Sequence, residues 1–348
     1  MKAERIIESL YREHDASREE LRWLIENRNE DLSQRLFELA RAAARAHFGN
    51  KIYVRGLIEI TNYCRNDCYY CGIRKSNRNV SRYRLNFEEI LSCCREGYAL
   101  GFRTFVLQGG EDPWFNDHRI ARLVTMIKEQ YPDCAVTLSI GEKEESSYRL
   151  FRQAGADRYL LRHETFNPDH YRLLHPRELS GSHRQQCLFT LRELGFQVGS
   201  GFMVGSPGQI SEHLAEDMLF LKKLNPHMVG IGPFVPHHDT PFAQEQAGSL
   251  ELTLYLLGLL RLMLPKALLP ATTALGALSE NGQQLGILAG ANVIMPNLSP
   301  LQNRALYSLY DNKPNTGTQA AENLEQLREK MEQIEYKIVT DRGDSLVY

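Results

Sequence analysis

The stretch Thr61-Asn62-Tyr63-Cys64-Arg65-Asn66-Asp67-Cys68-Tyr69-Tyr70-Cys71-Gly72 decides how the rest of the chain is read. Its cysteines are spaced C-x3-C-x2-C and follow an apolar, β-branched run at 54–61 that reads as a strand. Three thiolates this close on a loop can grip one cubane iron–sulfur cluster. A loop is required, because three cysteines on one rigid strand or helix could not all converge on one centre. Three protein ligands also leave one iron open to an outside ligand, as an open zinc position does in catalytic sites. The competing readings are a structural zinc site completed by a distant histidine, or three unrelated core cysteines. Zinc sites more usually pair C-x2-C knuckles.

Working outward, seven more short apolar runs read as strands, at 104–107, 135–140, 158–163, 197–204, 228–234, 268–272 and 293–295. Amphipathic helical patterns alternate with them at 87–100, 117–130, 144–154, 182–194, 211–224, 250–264 and 279–288. Asn86 with Glu89 resembles a capping box, Asn167-Pro168 places a cap before a first-turn proline, and Gly155 and Gly195 suit helix C-termini. Eight βα units predict an α/β fold, a (β/α)8 TIM-type barrel, with its site at the C-terminal ends of the strands. Before it, Ile6, Ile7, Leu10, Leu21, Leu24 and Ile25 fall at helical spacing, followed by a second run at 32–47. The expected organisation is a helical extension over 1–50, the barrel over 51–310, and a C-terminal helix and tail over 311–348.

The composition fits. A chain of 348 residues accommodates two ordinary domains or one large barrel, and the strand pattern favours the barrel. Hydrophobic residues at 43% and charged ones at 24% exclude a disordered or fibrous chain. The net charge of -2 offers no global attraction to nucleic acid or an anionic membrane, so neither is an expected partner. Seven cysteines, an odd number spread along the chain, argue against a disulfide framework. Cys93, Cys94, Cys134 and Cys187 read as buried thiols. The start lacks the apolar core of a signal peptide, and the most apolar stretch, at 252–264, is too short to span a bilayer and carries Arg261. A cytoplasmic protein is expected.

The cysteine spacing, with an aromatic residue before the last cysteine, resembles the signature of the radical S-adenosylmethionine (SAM) enzymes. The resemblance implies a [4Fe-4S] cluster on Cys64, Cys68 and Cys71, with SAM chelating the open iron and Tyr70 beside its adenine. Gln108-Gly109-Gly110-Glu111 is similar to the family's GGE motif, whose bare backbone admits the SAM amino group; alone, Gly109-Gly110 would read as an ordinary turn. Within that superfamily the segments VLQGGEDP (106–113), RYLLRHET (158–165), MVGIGPF (228–234), PATTA (270–274) and GANVIMPN (290–297) resemble the HydE-type maturases of [FeFe]-hydrogenase. That resemblance implies reductive cleavage of SAM to a 5′-deoxyadenosyl radical. It further implies attack on the cysteine sulfur of a small organometallic iron complex carrying carbon monoxide and cyanide. The complex would come from a partner maturase and the electron from a ferredoxin or flavodoxin. Biotin synthase and methylornithine synthase are near relatives. No cysteine follows Cys187, so the second, C-terminal cluster of some family members is not expected. Gln108 and Ser139 stand at strand ends where biotin synthase would hold an auxiliary cluster, which argues against sulfur insertion.

The remaining candidates sit at strand ends. Alternation points Arg162 and Glu164 the same way, into the barrel mouth, either as a structural ion pair or as ligand contacts. By resemblance Glu164 and Arg184 meet SAM, and Arg162 anchors the substrate. Thr272 and Thr273 offer hydroxyls, of which alternation would turn only one inward. Tyr307 and Tyr310 are one helical turn apart and would share a face, closing the mouth or packing the final helix. Arg55 and Gln108 are further candidates for the barrel interior. His237-His238-Asp239 reads as a loop whose adjacent histidines point apart and share no ion. The rival functions are another radical SAM reaction, such as a methylornithine synthase-like mutase, and a non-catalytic iron–sulfur carrier.

Overall fold

The computed structural model describes residues 2–314, 317 and 319–347. The few remaining positions of the expected terminal segments lie outside the described residues. Three helices lead, α1 (Lys2–Glu13), α2 (Arg18–Glu26) and α3 (Glu30–Phe48). Then come β1 (Lys51–Val54), β2 (Gly56–Thr61), α4 (Phe87–Ala99), β3 (Thr104–Gly109), α5 (Asp117–Gln130), β4 (Ala135–Ser139), α6 (Glu145–Gln153), β5 (Arg158–Leu160), α7 (Pro168–Leu174) and α8 (Gly181–Glu193). The second half holds β6 (Gln197–Ser200), β7 (Met203–Val204), α9 (Ser211–Leu224), β8 (Met228–Val229), β9 (Gly232–Pro233), α10 (Leu250–Met263), α11 (Thr273–Leu278) and α12 (Gly282–Leu288). It ends with β10 (Val293–Ile294), α13 (Leu301–Arg304), α14 (Ala320–Glu332) and β11 (Lys337–Val339).

Six staves, β2-β3-β4-β5-β6-β8, form one all-parallel sheet. Single parallel bridges carry the ring onward, Met228 to Leu268 and Pro270 to Val293, and Leu57 to Asn297 closes it. The fold is a closed TIM-type barrel, as its alternating pattern predicts. The seventh stave pairs only by bridges. Pro270 has no N–H to give, and the chain turns into α11 directly after Thr272, so an expected strand at 268–272 is reduced to two contacts. The run at 54–61 divides at Arg55: β1 leaves the main sheet to pair with β10 and β11, while β2 pairs with β3. The runs at 197–204 and 228–234 also break in two, at Gly201 and Gly230. A Cβ on Gly201 would lie 1.9 Å from the Gly230 carbonyl oxygen.

The helices start and stop where their caps predict. Asn86 and Glu89 exchange both capping-box hydrogen bonds, Asn167 caps α7 ahead of Pro168, and Gly155 and Gly195 take positive φ just past α6 and α8. The apolar α10 is buried between the barrel and α3, where Gly258 leaves room for Leu36. Arg261 within it donates to the carbonyls of Pro265, Ala267 and Gly290 at 2.8–2.9 Å. Among the described residues no helix is long and apolar enough to cross a membrane. At the N-terminal end of the barrel, Arg158 gathers the tail behind β11 by donating to the carbonyls of Arg342 and Gly343 and to Asp344.

Candidate active site

The cysteine loop leaves the C-terminal end of β2 and is pinned to the neighbouring strand end. Arg65 N–H donates to the Glu111 carbonyl at 2.9 Å, and Gly110 lies so close beneath that a Cβ would sit 2.3 Å from the Tyr63 oxygen and 2.7 Å from Cys64 Cβ. The glycine is therefore demanded by packing against the cysteine loop. Residues 72–82 fold back over the loop, and Arg82 ties them down through the carbonyls of Ile73, Arg74 and Asn77 at 2.7–3.0 Å. All three thiols are free. Burial pushes the Cys71 thiol up to about 12 and those of Cys64 and Cys68 in the same direction, so the bare chain holds them protonated. They are not among the described groups whose ligand atoms converge within 4.8 Å, the packing a single zinc ion would impose. Thiols set wider apart than one ion requires suit a multi-iron cluster better than a single zinc.

Beside them the barrel encloses a cavity of about 350 Å³. Tyr70 and Cys71 form one wall. Tyr70 O–H donates to His175 Nε2 at 3.1 Å, because His175 Nδ1 already donates to the Tyr171 carbonyl and burial keeps that imidazole neutral, its pKa drawn down to about 3. Gln108, Gly109 and Ser139 line the cavity at the ends of β3 and β4. Arg162, Glu164 and Arg184 line the next sector, and Thr272, Thr273, Tyr307 and Tyr310 the far side.

The charges in this cavity are paired but poorly aligned. Arg162 Nη2 stands 3.0 Å from Glu164 Oε2, yet Arg162 Nε, Nη2 and Glu164 Oε2 are buried without a hydrogen bond. Arg184 Nε stands 2.9 Å from Glu142 Oε1 with the same misalignment, while Arg184 Nη1 donates to the Arg162 carbonyl. Glu164 adopts a positive φ of 66°, which holds its carboxylate toward the mouth after β5 has ended. His163 points the opposite way, against Ser200 and Asp217.

Several expectations change. Arg55 does not reach this cavity: it lies before β2, at the opposite end of the barrel, and lines a separate small void with Arg158 and His227. Glu111 does not line the cavity either, because Arg65 Nε and the Glu142 N–H, both at 2.9 Å, take up its carboxylate. Thr272 and Thr273 both face in, because the chain turns into α11 there and strand alternation stops. Tyr307 and Tyr310 reach the cavity from a loop after α13, so no helical face positions them. Gln108 donates to the Tyr307 oxygen at 3.4 Å, and the Thr273 and Tyr310 hydroxyls are 3.0 Å apart. His237 and His238 do not point apart: their rings stack 4.4 Å from each other. With Asp239 their ligand atoms lie within 4.8 Å, outside the central cavity. Four groups escaped the sequence reading. His175 and Glu142 carried only their positions near a helix end and a strand end. Glu59, an acid inside an apolar strand, was a legible signal; it lines the cavity with Lys313, and burial raises its carboxyl above the usual range despite that partner.

A thiol loop beside a closed parallel barrel, with a GGE strand end at its flank, defines a radical SAM enzyme, and residues 58–221 match the Radical SAM superfamily model. The chain is 44% identical over 313 residues to the [FeFe] hydrogenase maturase subunit HydE of Thermotoga maritima, covering 90% of this chain and 89% of that one. It is 29% identical to a 3-methylornithine synthase of Methanosarcina acetivorans, over 87% and 85% of the two chains. The crystal structure of methylornithine synthase (PylB) superposes with a TM-score of 0.85 at 25% identity, covering 96% and 97% of the chains. The chain belongs to the HydE family of [FeFe]-hydrogenase maturases.

Proposed function

We propose that this chain uses SAM as a radical source to act on a small cysteine-containing iron–carbonyl–cyanide complex during assembly of the [FeFe]-hydrogenase H-cluster. Cys64, Cys68 and Cys71 are the residues to hold a [4Fe-4S] cluster, and their free thiols, half-buried on one loop, fit it. When bound, the reduced cluster and SAM supply a 5′-deoxyadenosyl radical and release methionine. Tyr70, fixed by His175, offers a ring wall for adenine. Glu164 and Arg184 offer opposite charges for the amino and carboxylate groups of SAM, and Gly109 and Ser139 give the backbone and hydroxyl between them. Glu111 acts indirectly, by bracing the cysteine loop. Arg162 anchors the anionic complex beside Glu164, assisted by Gln108 and, from the far side, by Thr272, Thr273 and the Tyr307 and Tyr310 hydroxyls. Apolar walls at Leu57, Met203, Met228 and Met295 keep water from the reacting atoms. The complex comes from a partner maturase, and the electron from a ferredoxin or flavodoxin.

The observation that carries this reading is the pair of arginines, half-buried Arg162 and buried Arg184, whose buried guanidinium donors stand beside carboxylates without hydrogen-bond alignment in one cavity next to the thiol loop. Donors left so expose the full cost of burial until a ligand accepts them. The test is anaerobic reconstitution followed by 5′-deoxyadenosine measurement. SAM cleavage should be elicited by the iron–cysteine complex, and cleavage elicited by a lysine-like amino acid instead would favour a mutase. Replacing Cys64, Cys68 and Cys71 together by Ala should abolish the brown chromophore and all deoxyadenosine; a persisting cubane spectrum overturns the ligand assignment.

A further inference from the structure

Residues 65–84 carry six cations, Arg65, Arg74, Lys75, Arg78, Arg82 and Arg84, against the single carboxylate of Asp67, in a chain whose net charge is -2. These cations are differently employed. Arg82 is turned inward onto backbone carbonyls beside Cys64 and Cys71. Arg74 pairs with Asp67 at 2.7 Å, Arg65 with Glu111 at 2.9 Å and Arg84 with Asp112 at 2.6 Å. Lys75 and Arg78 are exposed and have no ion pair among the described residues.

Their placement is specific. Lys75 N–H donates to the Asn66 carbonyl at 2.8 Å, between Cys64 and Cys68, and Asn77 Nδ2 donates to the Gly72 carbonyl at 2.7 Å, directly after Cys71. The two unpaired cations therefore stand on the outer skin of the loop that carries the thiols on its inner side. The inner side faces the cavity assigned above to SAM and substrate. A macromolecular reductant is left with the outer skin. Neutralising the thiolate and cluster charge does not account for these two residues, since Arg82 already faces inward and they face water.

We propose that this outer face, centred on Lys75 and Arg78 with Arg65 and Arg84 at its flanks, is the docking surface of an acidic one-electron carrier protein, with flavodoxin as the probe. The proposal rests on the cluster reading of Cys64, Cys68 and Cys71. One electron passes from the anionic flavin hydroquinone, which becomes its neutral one-electron-oxidised form, to the cluster, which goes from the two-plus to the one-plus state; no proton moves. Opposite charge on the facing surfaces acts mainly on the encounter rate and weakens with salt.

The test is a Lys75→Glu, Arg78→Glu double variant, reconstituted and mixed in stopped flow with reduced flavodoxin or with methyl viologen radical cation. Flavodoxin should reduce the variant's cluster roughly tenfold more slowly, and the salt dependence seen with the unaltered protein should flatten. Methyl viologen should reduce both proteins alike, or the variant faster. Equal flavodoxin rates, or equal losses with both reductants, overturn the proposal. A second arm is independent of the cluster. In a Cys64→Ala, Cys68→Ala, Cys71→Ala background, calorimetric affinity for oxidised flavodoxin should weaken roughly tenfold on the same charge reversal. A weakened affinity in a protein whose cysteines assemble no cubane would sink the cluster reading and leave the docking face standing. A cubane that cleaves SAM, with affinity indifferent to the reversal, would do the opposite.

Discussion

Arg158 and Arg162 are four residues apart on one stave, at the two ends of the barrel, and they are bonded in contrasting ways. Arg158 opens β5 and is saturated: Thr104 Oγ1, Gln197 Oε1, the Arg342 and Gly343 carbonyls and Asp344 accept from it at 2.8–3.1 Å. Arg162 follows the strand's other end and stands by Glu164 with Nε and Nη2 unbonded. Arg158 is buried and Arg162 half-buried with Nε and Nη2 out of water, where an unmatched guanidinium donor is costly. The difference teaches which end does chemistry. A saturated arginine is a clamp, here drawing the C-terminal tail across the barrel floor. An arginine held beside a carboxylate but out of alignment is kept ready for a third partner.

Lysine substitution separates the two roles most sharply, because one ammonium cannot replace a five-donor planar fork. Arg158→Lys should leave several acceptors of the tail unpaired and cost about 3 kcal/mol of stability, at about 1 kcal/mol or more for each lost partner. Arg162→Lys should cost less than about 1 kcal/mol of stability, since it keeps the charge beside Glu164 and loses no aligned bond. Its deficit should fall instead on substrate-elicited deoxyadenosine, by roughly tenfold to a hundredfold in kcat/KM. Denaturant unfolding and the anaerobic assay measure the two quantities. Similar stability losses in both variants would erase the contrast.

The same contrast explains what could be read from the sequence. The C-terminal rim was legible because its elements are strongly patterned: a cysteine triplet after a strand, glycines at the next strand end, and a charged pair at alternating positions. The floor was not. β11 is three residues of ordinary composition, and its partner β1 lies at the other end of the chain. Depth was also illegible. Arg55 and Gln108 look alike as polar groups flanking apolar runs, yet one begins its strand and the other ends it, so only Gln108 reaches the mouth. Spacing rules failed where regular structure stops. Both Thr272 and Thr273 face the cavity because alternation ends at α11, and the two tyrosines reach it from a loop rather than a helix.

His175 offers a smaller test, on the wall of the mouth. Its pKa falls to about 3 because burial disfavours the imidazolium, whereas the unfolded chain takes up that proton near pH 6.5. A lowered histidine pKa means the unfolded state binds more protons between those values. The stabilisation is therefore complete above pH 6.5 and lost as pH falls toward 3. By pH 5 the loss from this one group is about 2 kcal/mol. His175→Phe should flatten the fall in unfolding free energy between pH 7 and pH 5 by that amount, measured by denaturant titration at each pH. An unchanged pH profile would mean that His175 is not held neutral beside Tyr70.

The smallest effect belongs to the far wall, where the Thr273 and Tyr310 hydroxyls meet at 3.0 Å. This contact resembles the floor in being bonded and the mouth in lining the cavity, so it lies between the two kinds of contact. If it is only a brace, Tyr310→Phe should lose about 1 kcal/mol of stability and leave KM for the iron–cysteine complex unchanged. If the hydroxyl turns to the substrate when the cavity fills, the two halves of the result exchange. Stability then changes little, because the bond is given up in the working state, and KM rises severalfold while SAM binding is untouched. The cavity reading predicts the second outcome, since burial, with the Glu59 carboxylate, raises the Tyr310 phenol pKa and keeps it a proton donor at neutral pH. A loss confined to stability would move Tyr310 to the structural side and shrink the substrate face to Arg162, Gln108, Thr272, Thr273 and Tyr307.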